Sequence, residues 1–183
     1  LYEQDIPDLL EGTGLNVASS MAVHESQSRF YENIIGKSRE FSNYLYKEAI
    51  KQFNEQFDGV SEEEFYKALN KVTPSLIRTE ADELTYSLHI IIRYEIEKLL
   101  INDIIEVKDL PKVWNEKYKE YLGVEPTSDK EGVLQDVHWS DGSFGYFPSY
   151  ALGNLYGAQM LNKMIKDIPE VYQEVSKGNL EPV

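Results

Sequence analysis

The sequence predicts an all-α protein, and three observations carry that expectation. Apolar residues recur every three to four positions along most of the chain, the breaks between such stretches are short Pro or Gly steps, and strand-like alternation is close to absent. From about Met21 to Phe57, the residues Tyr31, Ile34, Ile35, Phe41, Leu45, Ala49 and Phe53 fall on one face, so a single long helix is expected, ended by Asp58-Gly59. Ser61-Glu62-Glu63-Glu64 then supplies a cap and an acidic first turn for a short helix carrying Phe65, Ala68 and Leu69 and stopping before Pro74. A third helix is expected from about Leu76 to Ile105, with Leu84, Leu88, Ile91, Ile92, Ile96, Leu99 and Leu100 as its apolar rows. Asp109-Leu110-Pro111 opens a fourth, with Pro near its first turn, and Gly123 closes it after Val113, Trp114, Tyr118, Tyr121 and Leu122. Trp139 to Pro148 holds two glycines, a proline and no period, which reads as an ordered loop; a last helix begins after Pro148 and ends at Pro169.

Composition bounds the function. A chain of 183 residues with 42% apolar content fits a single helical domain, residues 1–183, with a sizeable core. The absence of Cys excludes disulfides, thiolate metal sites and Cys nucleophiles, and suits a reducing compartment. With 18 Lys and Arg against 32 Asp and Glu, a net charge of −14 repels phosphate backbones and anionic membrane surfaces alike, so neither nucleic acid nor membrane is expected as a partner. The apolar run around Leu99 to Ile105 is broken by Asn102 and Asp103, far short of the roughly 20 residues a span requires. The start Leu1-Tyr2-Glu3-Gln4-Asp5 has no initiator Met and no signal core, and Gly178 to Val183 ends on a turn and an X-Pro step; both ends read as cuts from a longer protein.

Three segments concentrate chemistry. His24, Glu25 and Ser28 sit at the spacing of a decayed HEXXH motif, but a Ser hydroxyl is a poor zinc ligand, and the three histidines of the chain, His24, His89 and His138, form no His-x-x-x-His pair. Read alone, His24 and Glu25 are helix residues in ordinary hydrogen bonds, with Glu25 in a surface pair with Arg29 one helical turn on. Arg78, Asp82, Tyr86, His89 and Arg93 recur at spacings that put them on one face of the third helix, either a solvated charged stripe or the wall of a cleft in which Arg78 offers its fork to a carboxylate. Gly132 to Trp139, leading into Phe144 to Tyr150, places Gln135, Asp136, His138, Trp139, Tyr146 and Tyr150 beside a glycine-bearing loop. Phenols and an imidazole there can donate to a developing oxyanion, or the aromatics can simply cap a core.

Taken together, HESQSR at 24 to 29, IRTEAD at 77 to 82 and GVLQDVHW at 132 to 139 resemble the signature blocks of the thermostable carboxypeptidase Taq family of metallocarboxypeptidases, and LYEQ at 1 to 4 resembles the stretch directly after that family's HEXXH helix. The resemblance covers nearly the whole chain. It implies a long-helix, gluzincin-like catalytic lobe and the release of C-terminal amino acids from peptides by zinc-activated water, with cobalt as an alternative metal. It also implies a cytoplasmic homodimer and an HEXXH motif just upstream of Leu1. Residue by residue, it implies Glu25 as the third zinc ligand, with His24 beside it in the site wall. Arg78 would hold the substrate's free carboxylate, with Gln135, Asp136 and Trp139 lining the groove, and His138 with Tyr146 or Tyr150 would polarise the scissile carbonyl. Glu25, Arg78 and His138 would then face one hollow. Lacking the other ligands, this chain alone is expected neither to hold zinc nor to cleave peptides, and its apolar helix faces are expected to be partly exposed. The rival expectation is a non-catalytic helical interaction or scaffold domain, which would leave Arg78, Asp82 and His89 facing solvent and Glu25 paired only to Arg29.

Overall fold

The computed structural model describes residues 6–183, and every regular element among them is helical. The Leu1-Tyr2-Glu3-Gln4 block lies outside the described residues. The chain divides into two compact units, the first made of the residues up to Lys71 together with Leu152–Val183, the second of Val72–Ala151. No helix among the described residues is long and apolar enough to cross a membrane.

In the first unit the expected single helix over 21–57 is two helices. α1 runs Met21–Arg29, with the Ser20 hydroxyl accepting from the Val23 amide. It widens into a π-turn over Phe30–Ile35, and α2, Arg39–Gln52, starts afresh behind Ser38, whose hydroxyl accepts from the Phe41 amide. The physical reason lies in the intervening residues: Gly36 with Ser38 and Glu40 after it is a stop and then a cap, and a cap satisfies amides that continuous helix would have bonded internally. α3, Glu62–Leu69, carries the expected capping box between Ser61 and Glu64. Tyr46, Phe57 and Phe65 cluster between α2 and α3, with ring centroids 5.6 to 6.1 Å apart. The core joins Phe30 and Ile35 to Val171 and Val175 of a five-residue helix, Val171–Val175, too short to show a period in sequence.

In the second unit the third helix is shorter than the expected 76–105. Arg78–Glu80 forms a separate 3-10 turn and Ala81 is extended. α4, Glu83–Ile101, begins only after Asp82, whose carboxylate accepts from the Thr85 amide, the Thr85 hydroxyl and the Thr73 amide, each at 2.9 Å. A carboxylate so bonded terminates any helix entering from upstream. α5, Leu110–Leu122, has Pro111 in its first turn and stops at Gly123, which adopts φ 70°. Ile92 and Ile96 of α4 pack on Trp114, Tyr118 and Leu122 of α5 to make the core. The apolar rows expected of the third helix are partly inverted: Leu84 and Ile91 are exposed, together with Tyr94 and Ile101, while His89, Arg93 and Glu97 are buried. The stretch from Trp139 to Pro148 is, as expected, a run of turns, and it leads into the long helix Pro148–Asp167, here α6, whose body from Leu152 onward belongs to the first unit.

Candidate functional site

The second unit is organised around one carboxylate. Asp136 accepts from two guanidinium groups: Arg78 reaches Oδ1 through Nη2 at 2.7 Å and through Nε at 3.1 Å, and Arg93 reaches Oδ2 through Nε at 2.5 Å. Both arginines are buried, Arg93 completely. Burial by itself would push Asp136 up, but the Arg78 hydrogen bonds and the charges of Arg93 and Arg78 hold it below the usual carboxylate range. Arg78 in turn is held above the ordinary guanidinium value, the Asp136 hydrogen bonds and charge outweighing its own burial. Gln135 completes the frame: its Oε1 accepts from the Arg78 amide and from Arg93 Nη2, both at 2.9 Å, and its Nε2 donates to the Leu76 and Glu131 carbonyls. The reading of this stripe as a solvated face is therefore overturned for Arg78, His89 and Arg93, because the carboxylate that pairs the arginines comes from outside the helix, 43 and 58 positions along the chain.

His89 is fully buried and bonds Tyr118 Oη through Nδ1 at 3.0 Å, while its Nε2 has no partner among the described residues. Burial first, then the charges of Arg93 and Arg78, push its pKa down to about 4, so it is neutral near pH 7. His138 Nε2 lies 3.0 Å from Tyr150 Oη, and its ring packs against Phe147 at 4.4 Å and Tyr146 at 5.6 Å between centroids. Its Nδ1 stands 3.9 Å from Asp136 Oδ1. Burial lowers this imidazole as well, with Asp136 opposing, which favours the neutral form. In this bond one partner donates and the other accepts: when His138 Nε2 carries the proton it donates to Tyr150 Oη, and the phenol O–H is left as the outward donor.

Some of the residues expected to line a groove have their polar groups engaged internally. Both ends of the Gln135 amide and both Asp136 oxygens are taken up as described. The Trp139 indole N–H donates to Glu97 Oε2 at 2.8 Å, and its ring packs edge-on against Trp114 and Phe147. Arg78 gives its Nε–Nη2 edge to Asp136, stands over the Tyr150 ring at 4.8 Å, and meets Tyr86 Oη with Nη1 at 3.4 Å, so the Nη1–Nη2 edge is the part left for another carboxylate. Tyr146 stacks edge-on with Tyr150 at 5.2 Å. Sequence reasoning passed over Glu97, although it continues the stripe of Tyr86, His89 and Arg93 by one more turn of α4, and that spacing was the available signal.

In the first unit His24 and Glu25 lie half-buried on α1. Glu25 Oε2 accepts from Ser28 Oγ at 3.0 Å, whereas Arg29, buried, donates through Nε to Asn154 Oδ1 at 3.0 Å and lies 3.8 Å from Glu32. α6 comes down on this turn through a glycine: a Cβ at Gly153 would stand 3.0 Å from Glu25 Cγ and 3.2 Å from the Ser26 amide nitrogen. Asn154, next in sequence, supplies the acceptor for Arg29.

The second unit thus holds a buried acid between paired arginines, with a neutral His–Tyr pair beside them. The carboxypeptidase Taq (M32) metallopeptidase model matches residues 1–183, and the chain belongs to that family. It is 51% identical to carboxypeptidase 1 of Bacillus subtilis (strain 168), over 100% of this chain and 36% of that protein. It is 47% identical to thermostable carboxypeptidase 1 of Thermus thermophilus, again over 100% of this chain and 36% of the relative. The crystal structure of the M32 carboxypeptidase from Deinococcus radiodurans R1 superposes with a TM-score of 0.94 at 41% identity, covering 99% of this chain and 37% of that one. The chain thus spans little more than a third of the length of the curated relatives it matches.

Membership in a metallopeptidase family implies a metal ion. Among the described residues no three His, Asp or Glu side chains converge on a common point. Glu25 is a single half-buried carboxylate, and His89 and His138 are engaged with phenols. The donor set present does not make up a metal site by itself.

Proposed function

We propose that this chain forms part of a metallocarboxypeptidase that releases C-terminal amino acids from peptides. The observation that carries the reading is the hydrogen-bonded His138–Tyr150 pair backed by the Asp136–Arg78–Arg93 cluster. A neutral donor held at a half-buried position suits the oxygen of a scissile carbonyl as charge develops on it, which is where fixed dipoles contribute most to rate. Tyr146, stacked on Tyr150, is the second phenol available for that task. In this reading the Nη1–Nη2 edge of Arg78, where Nη1 also meets Tyr86 Oη, takes the substrate's terminal carboxylate through its remaining N–H groups, and Gln135, Asp136 and Trp139 form the wall that holds it. Glu25 contributes one ligand to zinc, or to cobalt in its place, with His24 beside it and the other ligands supplied by residues outside this chain. A homodimer and a cytoplasmic location belong to the same proposal.

The test is direct. The full-length protein, supplied with zinc or cobalt, should release the last residue from N-blocked dipeptides and lose that activity in a chelator, with recovery on metal return. Cleavage indifferent to chelation, or none with metal present, would sink the reading. A scaffold role gains no support from any specific observation, since the residues it needs in solvent, Arg78 and His89, are buried.

A further inference from the structure

We infer that Glu97 is a positioning residue that sets the placement of His138 and Tyr146, an inference that rests on the peptidase reading above. Glu97 is only 8% exposed, and none of the ion pairs among the described residues involves it. Its two oxygens go instead to neutral donors at the two ends of one loop: Oε2 accepts from the Trp139 indole N–H at 2.8 Å, and Oε1 accepts from the Gly145 amide at 2.5 Å. Those anchor points are the immediate neighbours of His138 and Tyr146. Within the loop the Ser143 amide donates to the His138 carbonyl at 2.7 Å and the Asp141 amide to the Val137 carbonyl at 3.0 Å. The loop is therefore closed on itself and then clamped to α4 at both ends by one carboxylate. A buried carboxylate without a cation is costly unless its lone pairs are met, and here both oxygens are met by the loop that carries the candidate catalytic imidazole. Gln cannot reproduce this. Its amide offers one acceptor oxygen, so one of the two N–H groups would face another N–H.

The experiment uses the full-length, metal-loaded protein and its E97Q variant, with Glu95→Gln, two positions away in an ion pair with Lys117, as the control. For E97Q we expect kcat to fall about tenfold or more with KM within about twofold, because displacement of a reacting group by a fraction of an ångström is read in the chemical step. Metal content and far-UV circular dichroism should match wild type, tryptophan emission should shift, and Glu95→Gln should behave as wild type. W139F, which removes one of the two donors, should lower kcat in the same direction and serves if E97Q fails to fold. An unchanged kcat in a folded E97Q or W139F overturns the inference. So does a fall in activity that tracks the loss of folded protein and vanishes on cooling. Should wild type itself prove to cleave nothing, the peptidase reading fails separately. The clamp is then read from the Gly145 amide and His138 ring NMR signals, which should both move in E97Q and whose constancy would overturn it.

Discussion

Asp136 joins two arginines that the chain supplies from a 3-10 turn and from the middle of α4, and removing its charge leaves both guanidinium groups buried without a counter-ion. Breaking one partner of a buried ion pair costs far more than an exposed pair is worth, so Asp136→Asn is expected to lower unfolding free energy by about 3 kcal/mol or more in urea denaturation. A loss below about 1 kcal/mol would mean that solvent already reaches the cluster. His89 makes a prediction of opposite character. Its folded-state value of about 4 lies below the ordinary 6.5, so between those limits the unfolded chain binds more protons than the folded one. Stability therefore rises with pH across that window, is fully present above about 6.5, and is lost as pH falls toward 4. The linkage amounts to about 3 kcal/mol at most. Comparing wild type with His89→Gln at pH 7 and pH 5 isolates this contribution, and the variant should show the shallower dependence. Equal slopes would show that the imidazole charges freely in the folded state.

Between α1 and α6, space rather than charge decides. Ala is a better helix former than Gly by about 1 kcal/mol, and overpacking costs about 1 to 3 kcal/mol, so the sign of a Gly-to-Ala change depends on what the new methyl meets. At Gly153 it meets Glu25 Cγ and backbone atoms of Glu25 and Ser26 within 3.3 Å, and the backbone cannot yield. At Gly157 it meets only the Cδ1 tip of Ile34 within 3.4 Å, a group that can rotate aside. Gly153→Ala should thus lower the melting temperature, and Gly157→Ala should leave it nearly unchanged or raise it. The reverse order in a thermal scan would contradict the packing. At this scale the sequence was partly legible. Caps such as Ser61 with Glu64 and stops such as Gly123 act through bonds to residues three or four positions away, so they can be read locally. The break at Gly36 and Ser38 was written in the same code and was overridden by an apolar period that runs straight through it.

For the whole molecule, a net charge of −14 acts over distances comparable to the Debye length, about 10 Å at 0.1 M salt. Raising ionic strength from about 0.01 to 0.2 M should therefore increase the melting temperature, since self-repulsion in the compact state is screened. A flat response would mean that local pairs, such as Arg39 with Glu63, already neutralise the field. The amino-acid sequence by itself determined the helical class, the helix ends marked by strong caps and stops, the three blocks that mark the M32 family, and the residues around which the candidate site is built, because periodicity, capping and motif spacing are short-range properties of a chain. What only the tertiary structure decided is the use of those residues: that the charged stripe of α4 turns inward while Leu84 and Ile91 face out, that Arg78 spends one edge on Asp136, and that Glu97 ties down the loop bearing His138. Each of those outcomes depends on a partner 42 to 58 positions distant, and no local pattern states whether a buried charge will find its partner until the chain has closed around it.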